Sequence, residues 1–229
     1  MKSKDLKAEY DAKILVIGED SNLVWSEEVP EYVMFADYYF KPIPEDHGER
    51  SRNVESRRLF EHIIYLTRSK VKSKEIYFTN LCNEFVSPPP KGKHVLIPEE
   101  KAKEGVERIK NILKNNPTIS YIFCMSLQAN YWLQKLGLYS CQDENFLHDA
   151  QPRRVGLEPF NTYYQPVNPK ALSSIVGNIY DVNGFDSKIV PILTQKDFPL
   201  KDKNIDLFQT PYLQIKESLV FNKLIKEEE

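Results

Sequence analysis

The run Lys13-Ile14-Leu15-Val16-Ile17-Gly18-Glu19-Asp20 constrains the fold of this chain more than any other segment. Its four apolar residues follow one another without alternation. A strand with one wet face alternates; an unbroken run is buried on both faces, as in a parallel sheet covered by helices. Glu19 and Asp20 then fall at the strand's carboxyl end, where Gly18 permits a tight turn of the backbone. Ligands of open α/β sheets bind at that edge. Two readings stay open from this segment alone: a solvated strand exit, or a site with Asp20 presented at its mouth.

The rest of the chain is organised in the same style. The 229 residues suffice for one large α/β domain, and we read 1–229 as such a domain. The run at 74–81 (Lys-Glu-Ile-Tyr-Phe-Thr-Asn-Leu) is a second strand, 119–124 a third and 189–193 a fourth. Pro191 inside the fourth suggests an edge or a bulge. A short helix is expected around 31–39. Another lies over 52–69, with Val54, Leu59, Ile63, Ile64 and Leu66 on its apolar face. Pro98 opens a helix with Glu99 and Glu100 in its first turn and Lys110 and Lys114 near its end, which suits the helix dipole. Residues 127–136 form a helix closed by Gly137, and Pro211 opens a terminal helix. The stretch 140–187, rich in Pro, Asn and Tyr, reads as an irregular insertion with a helix at 169–177. Alternating strands and helices imply right-handed crossovers and a three-layer α/β/α sandwich on a central four-stranded parallel sheet.

Composition excludes several function classes. No apolar run is long enough to span a bilayer, and the charged N-terminus lacks the apolar core of a signal peptide, so a cytoplasmic location is expected. Cys82, Cys124 and Cys141 are widely spaced and form no Cys-x-x-Cys pair, and the four histidines (His47, His62, His94, His148) have no metal-ligand spacing. No metal and no organic cofactor is expected. Glycine-rich phosphate loops and the Gly-x-Ser-x-Gly elbow are absent. The third strand ends Phe123-Cys124-Met125-Ser126 without an aspartate, which disfavours a phosphoacceptor receiver domain. The net charge of −2 carries no global basic footprint. Local clusters exist: Arg50, Arg52, Arg57 and Arg58 in one segment, and Lys91 and Lys93 in the loop Ser87-Pro88-Pro89-Pro90-Lys91-Gly92-Lys93. The loop lysines are candidates for DNA backbone contact. Thirteen Tyr and twelve Phe leave rings available for stacking.

The two strand ends, and the order of elements between them, resemble the uracil-DNA glycosylase superfamily. In that family the first motif follows the first strand and reads Gly-Gln-Asp-Pro-Tyr, Gly-Glu-Ala-Pro-Gly or Gly-Ile-Asn-Pro-Gly. The position here reads Gly18-Glu19-Asp20-Ser21-Asn22. A second landmark is an Asn ending the second strand, matched by Ile76-Tyr77-Phe78-Thr79-Asn80. The resemblance runs through about 12–138 and more loosely through 188–225. It implies hydrolysis of the N-glycosidic bond of a flipped uracil or related base in DNA, without a cofactor. Asp20 would stabilise the oxocarbenium-like sugar and orient water. Asn80 would pair with the edge of the base through its acceptor and two donors. Gly18 and Glu19 would line the pocket, and Phe40 or Tyr39 would supply the stacking face.

The chain also departs from the pattern. Ser21 and Asn22 replace the Pro and the residue after it. The family's final motif, His-Pro-Ser-like after the fourth strand, is Thr194-Gln195-Lys196-Asp197 here; an alternative placement at Gln165-Pro166 also has Gln. Gln195, with Thr194, could donate in place of the histidine. Losing such a donor costs roughly 10²–10³ in rate. The alternative function is therefore a non-catalytic nucleic-acid or nucleobase-binding protein with the same fold and a degenerate site.

Overall fold

The computed structural model describes residues 2–20, 31–43, 45, 47–67, 69–84, 94–155, 163–168 and 170–192. The elements, in chain order, are β1 (Ile14–Asp20), α1 (His47–Leu66), β2 (Ile76–Cys82), β3 (His94–Val95), α2 (Glu99–Asn115), β4 (Tyr121–Met125), α3 (Leu127–Lys135), α4 (Phe146–Asp149), β5 (Pro152–Val155), β6 (Tyr163–Pro166), β7 (Tyr180–Asp181) and β8 (Lys188–Ile192). A 3₁₀ segment, Val33–Phe40, precedes α1.

The central sheet has five strands in the order β2-β1-β4-β8-β7, not four. The first four are parallel, and β7 pairs antiparallel with β8. A strand of two residues leaves no periodicity to read in a sequence. What creates it is the turn at 182–185, where Gly184 takes φ +80°, the left-handed position that a type II turn requires.

Both faces of this sheet are covered, which explains the unbroken apolar runs. Leu15, Ile17, Leu81, Ile122, Cys124 and Ile189 pack in one core with residues of α2 and α3. Ile14, Val16, Phe78, Phe123 and Val190 pack in the other with Leu59, Phe60, Ile63 and Leu66 of α1 and with Val33 and Ala36. The molecule is thus a mixed α/β protein with a five-stranded, mostly parallel sheet between helices. Among the described residues no helix is long and apolar enough to cross a membrane.

Three further expectations are corrected. Pro191 is on a strand flanked by β4 and β7, yet at its own position only Cys124 of β4 is paired. Beyond Ile189, however, β7 has ended, and the carbonyl of Pro191 accepts from the Gly177 N–H at 2.9 Å on the side away from β4. The proline's missing N–H faces the same way, so no ladder bond to β4 is lost. On α1, Val54 is exposed, while Asn53 and Ser56 occupy the buried stripe. Their side chains donate to the carbonyls of Tyr38 (2.7 Å) and Ala36 (3.3 Å), so polar groups satisfy the irregular 3₁₀ backbone where an apolar residue was expected. Finally, the stretch 140–187 is not simply irregular. Besides α4 and a 3₁₀ turn at Ala171–Ser174 it contains β5 and β6, which form with β3 a second, antiparallel sheet in the order β3-β6-β5. Pairing between residues some 70 apart is invisible to local pattern. The terminal helix expected from Pro211 lies outside the described residues.

Gly105 fixes how closely α2 lies on the sheet. A Cβ there would sit 1.9 Å from the carbonyl oxygen of Leu81, a backbone atom that cannot rotate away. Gly105→Ala gains helix propensity but forces α2 off β2. We expect a net loss of about 1–3 kcal/mol. A urea midpoint at or above that of the wild type would contradict this packing.

Candidate functional site

Parallel pairing brings three strand ends to one edge of the sheet. Gly18 stands opposite Asn80, Asp20 opposite Cys82, and Ile17 opposite Cys124. Gly18 and Asn80 do more than pair. A Cβ on residue 18 would lie 2.4 Å from Asn80 Oδ1 and 3.0 Å from Met34 Sδ. The missing side chain is therefore the space into which the Asn80 amide and the Met34 thioether fit. Asn80 is fully buried there. Met34 and the adjacent Phe35 are held at φ +55° and +52°, two consecutive non-glycine residues in the left-handed region. Such backbone strain persists only where the surroundings enforce it.

The end of β2 is fixed by a polar network. Arg108, from α2, donates through Nη2 to the carbonyls of Asn80 (2.5 Å) and Leu81 (3.2 Å) and to Asn83 Oδ1 (3.2 Å). The N-terminal segment runs antiparallel beside β2, with reciprocal bonds between Leu6 and Phe78. It places the Asp5 carboxylate to accept from Thr79 Oγ1 (2.8 Å), Asn83 Nδ2 (2.7 Å) and the Tyr77 hydroxyl (3.3 Å). Asp5 and Arg108 thus brace Asn80 from its backbone and from the residues beside it.

Glu19 occupies the opposite face of β1 from Gly18, toward α3. One carboxylate oxygen accepts from Ser126 Oγ, the other from Gln128 Nε2 at 2.6 Å. Gln128 also donates to the Val95 carbonyl (2.9 Å) and accepts from the Ile97 N–H (2.8 Å), which ties β1 to the backbone beside β3. Ser126 caps α3, its hydroxyl accepting from the Ala129 N–H (3.2 Å), and carries a φ of +119° that side chains rarely adopt. Burial pushes the Glu19 carboxyl up to about 7, against which the two donated hydrogen bonds pull down. The Cys124 thiol beneath is held up by burial first and by the Glu19 charge second. It stays protonated at neutral pH and is no nucleophile.

Of the other expected residues, only Tyr39 and Phe40 have described side chains. The backbone of Asp20 ends β1, while its side chain lies outside the described residues. So do Lys91, Lys93, Thr194 and Gln195. Tyr39 lies flat on Phe60 of α1, ring centroids 4.1 Å apart, and Phe40 stands edge-on to both, 44% exposed. These two rings sit at the far end of the 3₁₀ segment from Met34. Among the described histidine side chains, His62 is buried in α1 and burial depresses it to about 3, leaving a neutral imidazole at physiological pH. His148 is exposed beside Asp149. No group of three or more His, Cys, Asp or Glu among the described residues is placed to hold a metal. Sequence reading passed over Asp5, Met34, Phe35, Arg108, Ser126 and Gln128. Only Ser126, a serine between a strand and a helix, carried a signal, that of an N-cap.

A scan of the chain against protein-family models finds no match, and neither does a comparison with curated protein sequences.

The Glu19 cluster gives a signed pH dependence. Between about 4.5 and about 7 the folded chain holds a proton on Glu19 that the unfolded chain releases. Stability contributed by this residue is therefore complete below about 4.5 and is lost as the pH rises through 7. Glu19→Gln removes that slope. Comparing urea unfolding near pH 5 and near pH 8, the wild type should lose on the order of 2 kcal/mol more than the variant. Parallel pH profiles for the two proteins would rule this out. At the neighbouring position, Gly18→Ala must displace Asn80 or Met34; we expect about 1–3 kcal/mol of destabilisation, read from the same unfolding curves.

Proposed function

We propose that the edge formed by β1, β2 and β4 is a nucleobase-binding site of the uracil-DNA glycosylase type, and that the protein hydrolyses the N-glycosidic bond of a flipped uracil or related base in DNA. The observation that carries this reading is the Gly18–Asn80 pair: a strand-end glycine whose missing Cβ admits an asparagine amide from the next strand, 2.4 Å from where that Cβ would be. An amide fixed at the carboxyl edge of a parallel sheet can read the Watson–Crick edge of a base brought out of its stack. Asp20, two residues beyond Gly18, is the carboxylate for the cationic sugar and its water. The segment Val33–Phe40 reaches the pair through Met34. Met34 shares with the amide the space beside Gly18, and its flexible thioether chain is suited to moving aside for a ligand.

A second reading is favoured by the full burial of Asn80 and by Thr194-Gln195 at the place of the family's histidine. In it the same site binds a base or nucleic acid without turnover.

A panel of oligonucleotides containing uracil, hypoxanthine or mismatched thymine separates the two. On the first reading the wild type releases uracil, and Asp20→Asn lowers the rate at least 10²-fold, the order expected for loss of a principal electrostatic group. Equal release by wild type and variant would remove Asp20 from the mechanism. Binding with no release from any substrate would favour the second reading.

A further inference from the structure

β2 is the outermost strand of the central sheet, so its outward N–H and C=O groups have no further strand of that sheet to bond. At Phe78 the N-terminal segment supplies the partner: Leu6 and Phe78 exchange both backbone bonds, at 2.9 and 3.1 Å. Two residues on, at Asn80, the ladder gives way to side chains. The Asn80 N–H donates to Asn83 Oδ1 at 3.2 Å, and its carbonyl accepts from Arg108 Nη2. Backbone pairing resumes at Asn83, whose carbonyl accepts from the Ser3 N–H at 2.9 Å. The backbone of the buried Asn80 is thus fixed by side chains at the one place where a ladder would be expected to fix it.

Asn83 can serve there in only one orientation. Its Oδ1 faces two donors, the Asn80 N–H and Arg108 Nη2 (3.2 Å), so its amide nitrogen must point the other way. On that side it donates to Asp5 Oδ1 at 2.7 Å, an oxygen that also accepts from Thr79 Oγ1 at 2.8 Å. Turned over, Asn83 would set its NH2 against two donors. The acceptor at residue 5 selects the working orientation from one side, as Arg108 does from the other. The same segment also holds the opposite wall of the space beside Gly18. The Lys4 N–H donates to the Glu31 carbonyl at 2.7 Å, and the Lys4 carbonyl accepts from the Val33 N–H at 2.9 Å, one residue before Met34.

We propose that Asp5 is a positioning residue for the sheet-edge site. Acting through Asn83 and jointly with Arg108, it sets the peptide from which the Asn80 amide reads a ring that presents a carbonyl beside an N–H, and so sets the preference among bases. The reading role rests on the function proposed above; the placement of Asn80 does not. A displacement of about 1 Å in a positioned group can cost on the order of 10²-fold. Asp5→Ala removes the acceptor, whereas Asp5→Asn keeps a side-chain oxygen able to take both donors.

The test measures amide hydrogen exchange and base preference in the full chain. Exchange of the Asn80 N–H reports its placement, and exchange of the Ile122 N–H on β4 reports general stability. Preference is the ratio for uracil over cytosine at one position of an otherwise identical single-stranded oligonucleotide, read in base release, or in affinity if no base is released. Asp5→Ala should speed exchange at Asn80 at least about 10-fold more than at Ile122. It should also lower the preference roughly 10- to 100-fold. Asp5→Asn should stay within about 3-fold of the wild type in both, because the hydrogen bonds are kept. Glu9→Ala, which removes the partner of Lys74 from the same segment, should behave as the wild type. Unchanged Asn80 exchange in Asp5→Ala would overturn the proposal, as would equal acceleration at Asn80 and Ile122. Faster Asn80 exchange with the preference intact would overturn it too, leaving Asp5 a structural brace. A wild type that prefers neither base removes the base reading; the exchange results then still uphold or overturn the placement of Asn80 by Asp5.

Discussion

The position of β1 between β2 and β4, buried on both faces, is the constraint on which the rest of the structure depends. A strand flanked by parallel partners and covered by helices on each side can place polar side chains only at its ends. Ile14 to Ile17 alternate between the two cores, and polarity begins at Gly18-Glu19-Asp20. In β2 the polar pair Thr79-Asn80 comes just before the buried Leu81 and Cys82 that end the strand, and β4 is followed at once by Ser126. Because the strands are parallel, these polar ends meet at one edge.

Meeting there is expensive unless each group finds a partner in a region of low dielectric. The structure resolves this with separate networks on the two faces. On one, Asp5 and Arg108 satisfy the groups around Asn80. On the other, Ser126 and Gln128 satisfy Glu19. Behind Ser126, Asn130 donates to the Ser126 carbonyl and accepts from the Tyr139 hydroxyl, which accepts in turn from Gln134. The α3 turn therefore rests on a fully bonded buried chain, which lets Ser126 keep its unusual backbone angle. A rigid edge of this kind suits a site whose polar groups must be in place before a ligand arrives.

The elements differ in how far local pattern revealed them. The strand at β1 and the helices α2 and α3 were legible because each answers to local physics: two-faced burial, proline at the start with acids in the first turn, glycine at φ +74° after the end. The Val33–Phe40 segment was only half legible. Its helical tendency is local, but the left-handed turn at Met34-Phe35 has no glycine or asparagine to announce it. The inward face of α1 was misplaced because Asn53 and Ser56 are buried as partners of that irregular backbone.

For the candidate site the division is sharper. The sequence by itself determined that acids and an amide fall toward the carboxyl ends of strands, since hydrophobic patterning locates the strands. It also determined that Gly18 has no side chain to obstruct that edge. Only the tertiary structure decided that Gly18 faces Asn80, that Glu19 turns away from it toward Ser126 and Gln128, and that Asp5 reaches across from the N-terminus. Those facts depend on register and on which face each residue takes. Register is set by partners some 60 to 110 residues away, through hydrogen bonds that carry no mark in the order of the chain.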